Sequence, residues 1–231
     1  MTGISPIAGF VIVALCLVGV SLGQRRRRAR VIAWAAAKGW TYQDTAPALT
    51  RRWQGAPFGV GSSRRATSLL TGTWQGRSAT SFSYRYSVSN GKSRSTFTFQ
   101  VLALGLPVCL PTLELTPEGL GDRIAKAFGG QDLEFESADF NRAWRVTSGD
   151  PRFASDVVHP RLMELLLEPG ARANLRIEGT DIRTWSPGAT DLGLIASRLG
   201  LLDAVVRSIP RFVWLDHGHD PGNDTGPEAH K

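Results

Sequence analysis

Cysteine is scarce in this sequence, and its scarcity excludes two kinds of stabilised small domain. The chain contains only Cys16 and Cys109, which are far apart. Two such residues cannot build a disulfide framework, and they are not spaced as zinc ligands are. Few cysteines are also typical of a protein in a reducing compartment. We therefore expect a domain held together by its own core, with no metal and no cofactor.

Acidic residues are nearly missing from the first hundred positions. Residues 31–100 hold nine Lys or Arg against one acid, Asp44, and residues 25–30 add five arginines. Residues 101–215 are mildly acidic, with twelve basic and fifteen acidic residues. A basic segment is attracted to anionic lipid headgroups by about 1 kcal/mol per Lys or Arg, and nucleic acid attracts the same charge. Solvated surface charge without a partner is the third interpretation.

Charge of either sign is absent between Pro6 and Gly23. As a helix this run would be about 27 Å long, close to the hydrocarbon thickness of a bilayer. A cleaved signal peptide carries positive charge ahead of its apolar run, and residues 1–5 carry none on their side chains. The pattern predicts a short N-terminal segment (1–5), a transmembrane helix (6–23) and a basic juxtamembrane arm (24–30).

Five arginines follow this run and none precedes it. The positive-inside rule then places the N-terminus outside the plasma membrane and residues 31–215 in the cytoplasm, as the domain of a single-pass protein. Together with one aromatic side chain of the kind that sits at membrane interfaces, these arginines are our predicted contacts with anionic lipid: Arg25, Arg26, Arg27, Arg28, Arg30 and Trp34. Residues 216–231 are rich in Asp, Gly, Pro and His and are predicted to be disordered.

The middle of the chain predicts antiparallel strands. Residues 81–88 and 95–101 alternate between apolar and polar side chains on either side of Asn90-Gly91. A two-residue turn there would pair Phe82 with Phe99 and Tyr84 with Phe97. Residues 66–74 and the residues from Arg77 onward flank Gln75-Gly76, which predicts another strand before this turn. A further hairpin is predicted over Gly179-Thr180.

Helical patterns surround these strands. We predict helices over residues 28–38, ending at Gly39, and from Thr116, Asp150 and Thr190, each of which offers a capping side chain. The last helix carries a continuous apolar stripe from Leu192 to Val206. The predicted fold class is therefore α+β: a single transmembrane helix followed by an antiparallel β-sheet domain packed with helices.

A stretch of about thirty residues resembles a known family. Asp139-Phe-Asn-Arg-Ala-Trp-Arg-Val146 and Val158-His-Pro-Arg-Leu-Met-Glu-Leu-Leu166 resemble bacterial membrane-anchored domains of unknown function, which share a phenylalanine-x-valine strand and a proline-x-x-methionine-glutamate helix. Trp144 stands where that family usually has phenylalanine. The apolar residues of this motif are expected to pack in the core of the domain. Because the family has no established activity, the resemblance implies a fold and no chemistry.

Candidate chemistry is sparse. Gly91-Lys92-Ser93 lacks the preceding glycine and the following helix of a phosphate-binding loop. His159 is predicted to be a helix-start residue rather than a catalytic base. Acidic residues at 132, 134, 136 and 139 favour a half-exposed strand over a cation site, and the pair His217 and His219 is at most a weak metal site.

The remaining candidates are arginines that could contact an anion or a partner: Arg51, Arg52, Arg64 and Arg65. We interpret the protein as a non-enzymatic, membrane-apposed binding or scaffolding module of the cell envelope with an unidentified protein partner. One alternative is an enzyme acting on a membrane or envelope substrate. The other is a membrane-tethered nucleic-acid binder, although no helix-turn-helix or RNA-binding signature accompanies the arginines.

Overall fold

The computed structural model of the protein describes residues 23–91, 93–119 and 131–223, which form one antiparallel sheet with helices packed on it. The strands are β1 (Thr41–Thr45), β2 (Ser62–Trp74), β3 (Arg77–Ser89), β4 (Arg94–Pro117), β5 (Gln131–Leu133), β6 (Trp144–Ser148) and β7 (Asn174–Pro187). The helices are α1 (described over residues 23–37), α2 (Ala138–Ala143), α3 (Pro151–Val157), α4 (Pro160–Leu167), α5 (Gly193–Ser208) and α6 (Arg211–Asp216).

Strand β4 is the centre of the sheet. Its first half pairs with β3 and its last five residues pair with β6 along one edge, while β7 pairs with it along the other edge. β2 and β1 extend the sheet beyond β3, and β5 extends it beyond β6. The predicted antiparallel sheet packed with helices is confirmed in these residues.

The two faces of the sheet bury two different cores. On one face, leucines such as Leu102 and Leu104 pack against the helices, and we call this the main core. On the other face Phe82, Tyr84 and Phe99 form an aromatic core, which is covered by the segment 46–61. The alternation of side chains along β3 and β4 produces this division, because successive residues of a strand point to opposite faces.

The hairpin between β3 and β4 forms where it was predicted, but its register differs. Phe82 lies opposite Val101 and Tyr84 opposite Phe99, a shift of two residues from the prediction. The loop has four residues rather than two, closed by Asn90, whose side-chain oxygen accepts the Ser93 N–H at 2.9 Å. A shift of two keeps each side chain on its predicted face, so the face assignment is confirmed.

Several predicted helix ends are confirmed. The turn after α1 uses Gly39 at φ +68°, and the Trp40 N–H returns to the Ala35 carbonyl at 2.8 Å. Asp150 caps α3 through the Phe153 N–H. The helix predicted from Thr116 is wrong at its start, because β4 continues to Pro117; its positions 120–130 lie outside the described residues.

The second predicted hairpin is wrong. Gly179 and Thr180 lie inside one continuous strand, β7, which runs along β4 from Phe99 to Leu115. Gly179 adopts φ +61° where the register changes: β4 advances five residues from Gly105 to Leu110, while β7 moves from Asp181 to Gly179. A glycine with positive φ therefore marks a bulge here and not a turn.

The fold class needs a correction at its membrane-spanning helix. Within residues 23–91, 93–119 and 131–223, no helix is both long and apolar enough to cross a bilayer. Of the predicted span 6–23, only Gly23 is among the described residues. The predicted arm 24–30 is also not a separate segment, because it belongs to α1, and Val31 and Ala35 of that helix are buried in the main core.

The folded part of the chain extends beyond residue 215. The Arg211 guanidinium donates to the Asp220 carboxylate at 2.9 Å, and the His217 ring lies edge-on to Phe153 at 5.7 Å. His217 Nδ1 also lies 2.8 Å from the Val213 carbonyl oxygen. Disorder was therefore the wrong prediction for residues 216–223, whereas residues 224–231 lie outside the described part.

The docking of α1 can be tested at Gly72 of β2. A Cβ there would lie 2.5 Å from the Trp40 ring, so Gly72→Ala should lower the free energy of unfolding by about 1–3 kcal/mol through overpacking. Gly200→Ala is the matched control, because no atom lies within 4 Å of its Cβ and a helical alanine should stabilise by up to about 1 kcal/mol. Urea unfolding measures both. Equal effects would contradict the packing described for Trp40.

Candidate functional site

Two of the predicted membrane-contact arginines hold α1 on the domain instead. Arg28 donates to both Asp44 oxygens at 2.6 Å, and Arg27 donates to the Thr190 carbonyl at 2.7 Å. The Arg28 guanidinium and the Tyr42 hydroxyl hold the pKa of Asp44 down at about 2. Asp44, the one acid among residues 31–100, is thus already engaged by an arginine of α1.

The other arginines of α1 are free for a partner. Arg25, Arg26 and Arg30 are exposed and form no hydrogen bond or ion pair with the described residues. Trp34, in contrast, is half-buried and packs edge-on against Trp40, with ring centroids 5.5 Å apart. Of the six predicted lipid contacts, three therefore remain exposed cations without a hydrogen bond or ion pair to the described residues.

More arginines lie on β2 and the β3–β4 hairpin. Arg64 turns back onto the Gly59 and Gly61 carbonyls at 3.2 Å. Arg65 is exposed and lies directly opposite Arg85, and Arg94 is exposed at the start of β4. Like charges opposite one another in a sheet are destabilising, so this pairing is a local cost of folding. Arg85 and Arg94 were missed, because a register shift between Thr67 and Leu70 brings Arg85 opposite Arg65 and no spacing in the sequence indicates it.

These arginines lie at one end of the domain. Thr67 of β2 lies opposite Thr45 of β1 on one side and opposite Ser83 of β3 on the other. The Ser83 hydroxyl accepts the N–H of Thr190, and the Thr190 carbonyl accepts a hydrogen bond from Arg27. Since α1 runs antiparallel to β1, its first turn points toward the hairpin end. We call the exposed arginines here the basic end; its members are Arg25, Arg26, Arg65, Arg85 and Arg94.

Arg51 and Arg52 lie elsewhere, beside the aromatic core. Arg51 is exposed, without a hydrogen bond or ion pair in the described part of the chain. Arg52 binds Asp181 with two parallel hydrogen bonds, at 3.0 and 3.1 Å, and Asp181 also accepts the Trp53 indole N–H at 2.9 Å. Arg52 is thus part of a network that holds the segment 46–61 on the sheet.

The centre of this network is Arg183, a fully buried arginine of β7. Its guanidinium lies 5.3–5.9 Å from the ring centroids of Phe58, Trp53 and Trp185. One nitrogen donates to Glu178 at 2.7 Å, and another donates to the Gln54 carbonyl. Burial lowers the pKa of Arg183 to about 10, against the opposing effect of the Glu178 carboxylate.

Glu178 joins this arginine to the rest of the network. Its carboxylate accepts the Gln54 N–H at 2.8 Å and Arg176 at 3.0 Å, and Arg176 also donates to Glu114. Burial opposes ionisation of Glu178, but the Gln54 N–H and the two guanidinium groups outweigh burial and hold its pKa below the usual value. Three arginines and three acids balance, which leaves none of these carboxylates free to act as a general base.

The remaining candidates do not converge on a site. Asp132 accepts a hydrogen bond from Arg145 at 2.6 Å, and Asp139 binds Arg142. His159 Nε2 lies 2.7 Å from the Ser208 carbonyl oxygen, which agrees with a helix-start role. No three His, Cys, Asp or Glu residues of the described chain are grouped closely enough to bind a metal ion.

Comparisons with known proteins add one structural likeness. No family model matches the chain, and no curated protein matches it. The chain is similar to the crystal structure of the mycobacterial trehalose monomycolate transport factor A, with a TM-score of 0.56 and 16% identity; the match covers 79% of this chain and 96% of that one. This identity shows a shared fold alone. The family resemblance of residues 139–166 stays a prediction.

The ion-pair network can be tested by removing the partly buried charge of Glu178. Glu178→Gln leaves Arg183 and Arg176 without their shared carboxylate, so the free energy of unfolding should fall by about 3 kcal/mol. Asp139→Asn is the control, because its pair with Arg142 is about three-quarters exposed and should contribute less than about 1 kcal/mol. Equal losses in denaturant titrations would show that the network adds nothing specific.

The same variant should change the acid response. Because the pKa of Glu178 is lower in the folded state than its usual 4.5, its stabilisation is complete above pH 4.5. That stabilisation is lost as the pH falls through the folded-state pKa. Glu178→Gln should therefore unfold with a shallower dependence on pH below 4.5, and an unchanged slope would contradict this role.

Proposed function

We propose that this protein is a non-enzymatic binding module that works at a membrane surface of the cell envelope. The observation that carries the proposal is the basic end, where exposed arginines of α1, β2 and the hairpin gather and none of them forms an ion pair with the described residues. Each arginine near an anionic bilayer contributes about 1 kcal/mol of attraction. Arg25, Arg26 and Arg30 are the proposed lipid contacts of α1.

The fold likeness supports the same setting. The similar solved structure is a mycobacterial trehalose monomycolate transport factor, and 96% of that chain is matched. A shared fold does not transfer a cargo, so our proposal extends only to a role at the envelope. The partner on the protein side stays unidentified, and Arg51 is an exposed cation outside the basic end that such a partner could contact.

The geometry favours this role over the two alternatives. An enzyme needs a nucleophile or base beside an accessible pocket, whereas the buried carboxylates here are all bound by arginines. A nucleic-acid binder would use the same basic end, but the hairpin also exposes Val88 and Phe97 on its other face, where a phosphate backbone would leave these apolar side chains in water. Nucleic acid is therefore an outcome of the test.

Lipid binding can be measured by sedimentation of the full chain with vesicles. Replacing Arg25 and Arg26 by glutamine should weaken binding to phosphatidylglycerol-containing vesicles roughly thirtyfold, at about 1 kcal/mol per arginine. Arg152→Gln with Arg161→Gln is the matched control, because it removes the same charge from exposed positions on α3 and α4. Equal binding of the unmodified chain to anionic and neutral vesicles would refute the proposal, as would preferential, salt-sensitive binding to DNA.

We also propose that the domain lies on the cytoplasmic side. The arginine excess after residue 23 and the free, exposed thiol of Cys109 both suit that compartment. A reporter that is active only in the cytoplasm, fused after Lys231, should give signal. Signal from a reporter that works only outside would overturn the orientation.

A further inference from the structure

We propose that the β3–β4 hairpin is the part of the domain that enters the membrane interface. In this arrangement Val88 and Phe97 insert between lipid headgroups, while Arg65, Arg85 and Arg94 bind their phosphates from the opposite face of the sheet. This inference rests on the proposed function, because it names the element through which a membrane-surface module would make contact.

The apolar half of the argument is an uncovered strip beyond the aromatic core. Val88 is 40% exposed and Phe97 is 42% exposed, although both lie on the face that buries Phe82 and Tyr84. The covering segment 46–61 ends at Gly61, which packs so closely that a Cβ there would lie 2.5 Å from the Ser87 carbonyl oxygen. The sheet thus continues past its cover and leaves two large apolar side chains in solvent.

The exposed ring of Phe97 packs against a buried ring on the same face of the sheet. Phe97 lies opposite Tyr86, and the two rings stack with centroids 5.4 Å apart. Tyr86 is 4% exposed, and it stacks in turn on Phe99 at 5.9 Å. The outer apolar strip is therefore continuous with the rigid core, so inserting it would require little additional ordering of side chains.

The other face of the same hairpin is basic. Arg85 and Ser83 lie on one face of β3, Arg65 faces Arg85 across the β2–β3 pair, and Arg94 lies opposite Ser89. From Ser83 to Ser89 the hairpin extends about 20 Å at roughly 3.3 Å per residue. The hairpin therefore places Arg94 farther along the sheet than the position where Arg27 and Arg28 hold α1 on the domain.

The composition of this end selects a lipid surface as the occupant. Apolar and basic side chains on opposite faces of one projecting element match the layered chemistry of an anionic bilayer, where acyl chains adjoin phosphates. The described part of α1 also starts at this same end, with the exposed residues Arg25 and Arg26.

Depth-dependent quenching of a fluorescent label tests the hairpin directly. Val88→Cys, in a full chain carrying Cys16→Ala and Cys109→Ala, would be labelled and mixed with vesicles whose acyl chains carry a nitroxide. The control label sits on the native Cys109, which is exposed far along β4 from the hairpin. We expect quenching at position 88 at least threefold stronger than at position 109, in phosphatidylglycerol vesicles and not in phosphatidylcholine vesicles.

Replacing Arg65, Arg85 and Arg94 by glutamine should abolish the quenching at position 88, while an unchanged or raised melting temperature shows that the variant folds. A chain that sediments with anionic vesicles but shows no quenching at 88 would overturn the hairpin inference and leave the proposed function standing. A chain that does not sediment with them would overturn both. Equal quenching in neutral vesicles, or loss of vesicle quenching to competing DNA, would refute the lipid phosphate as the ligand.

Discussion

The buried pair of Arg183 and Glu178 is the interaction on which the aromatic half of the structure depends. A guanidinium without solvent is tolerable only when its charge is balanced and most of its donors are engaged; in Arg183 the Nε atom has no hydrogen-bond partner among the described residues. Glu178 balances the charge, the Gln54 carbonyl takes a second donor, and aromatic rings surround the ion. Because Gln54 belongs to the segment 46–61, the segment must lie on the sheet for the charge to be buried at all.

Covering one face of the sheet in this way limits where the protein can meet others. The main core is closed by helices and the aromatic core by the segment 46–61. Beyond both covers the β2–β3–β4 part of the sheet continues, with arginines on one side and Phe97 on the other. The surface offered to a partner is therefore the uncovered end of a sheet, and it follows from where two covering layers stop.

Local patterns in the sequence predict much of this fold but few of the long-range contacts that hold it together. Alternation in residues 81–88 assigns Tyr84 to a buried face, and capping chemistry at Asp150 marks a helix start, because both depend on near neighbours. The register of the hairpin was missed since Asn90 closes a longer loop. The bond from Arg52 to Asp181 joins residues 129 positions apart, a separation no local pattern predicts.

For the arginines of the candidate site, too, the sequence shows which residues are close along the chain but not which contacts they make in the fold. A basic run in sequence says that Arg25 and Arg28 are near one another, but only the fold shows that Arg28 is bound to Asp44 while Arg25 stays exposed. The cluster with Arg65 and Arg85 arises from strand pairing and could not be recognised from spacing. Tertiary contacts decide which charges remain available.

The length of β4 has a consequence for how the chain is made. One edge of β4 pairs with β7, and ribosomes must translate some 70 residues beyond Pro117 before Pro187, the last residue of β7, is added. At about 5–20 residues per second this takes several seconds, during which a partly apolar strand edge has no partner. Pro107 and Pro111 lie in β4 and have no backbone N–H to donate to a foreign strand. Each of them therefore removes one hydrogen-bond donor from the strand that a neighbouring nascent chain could pair with.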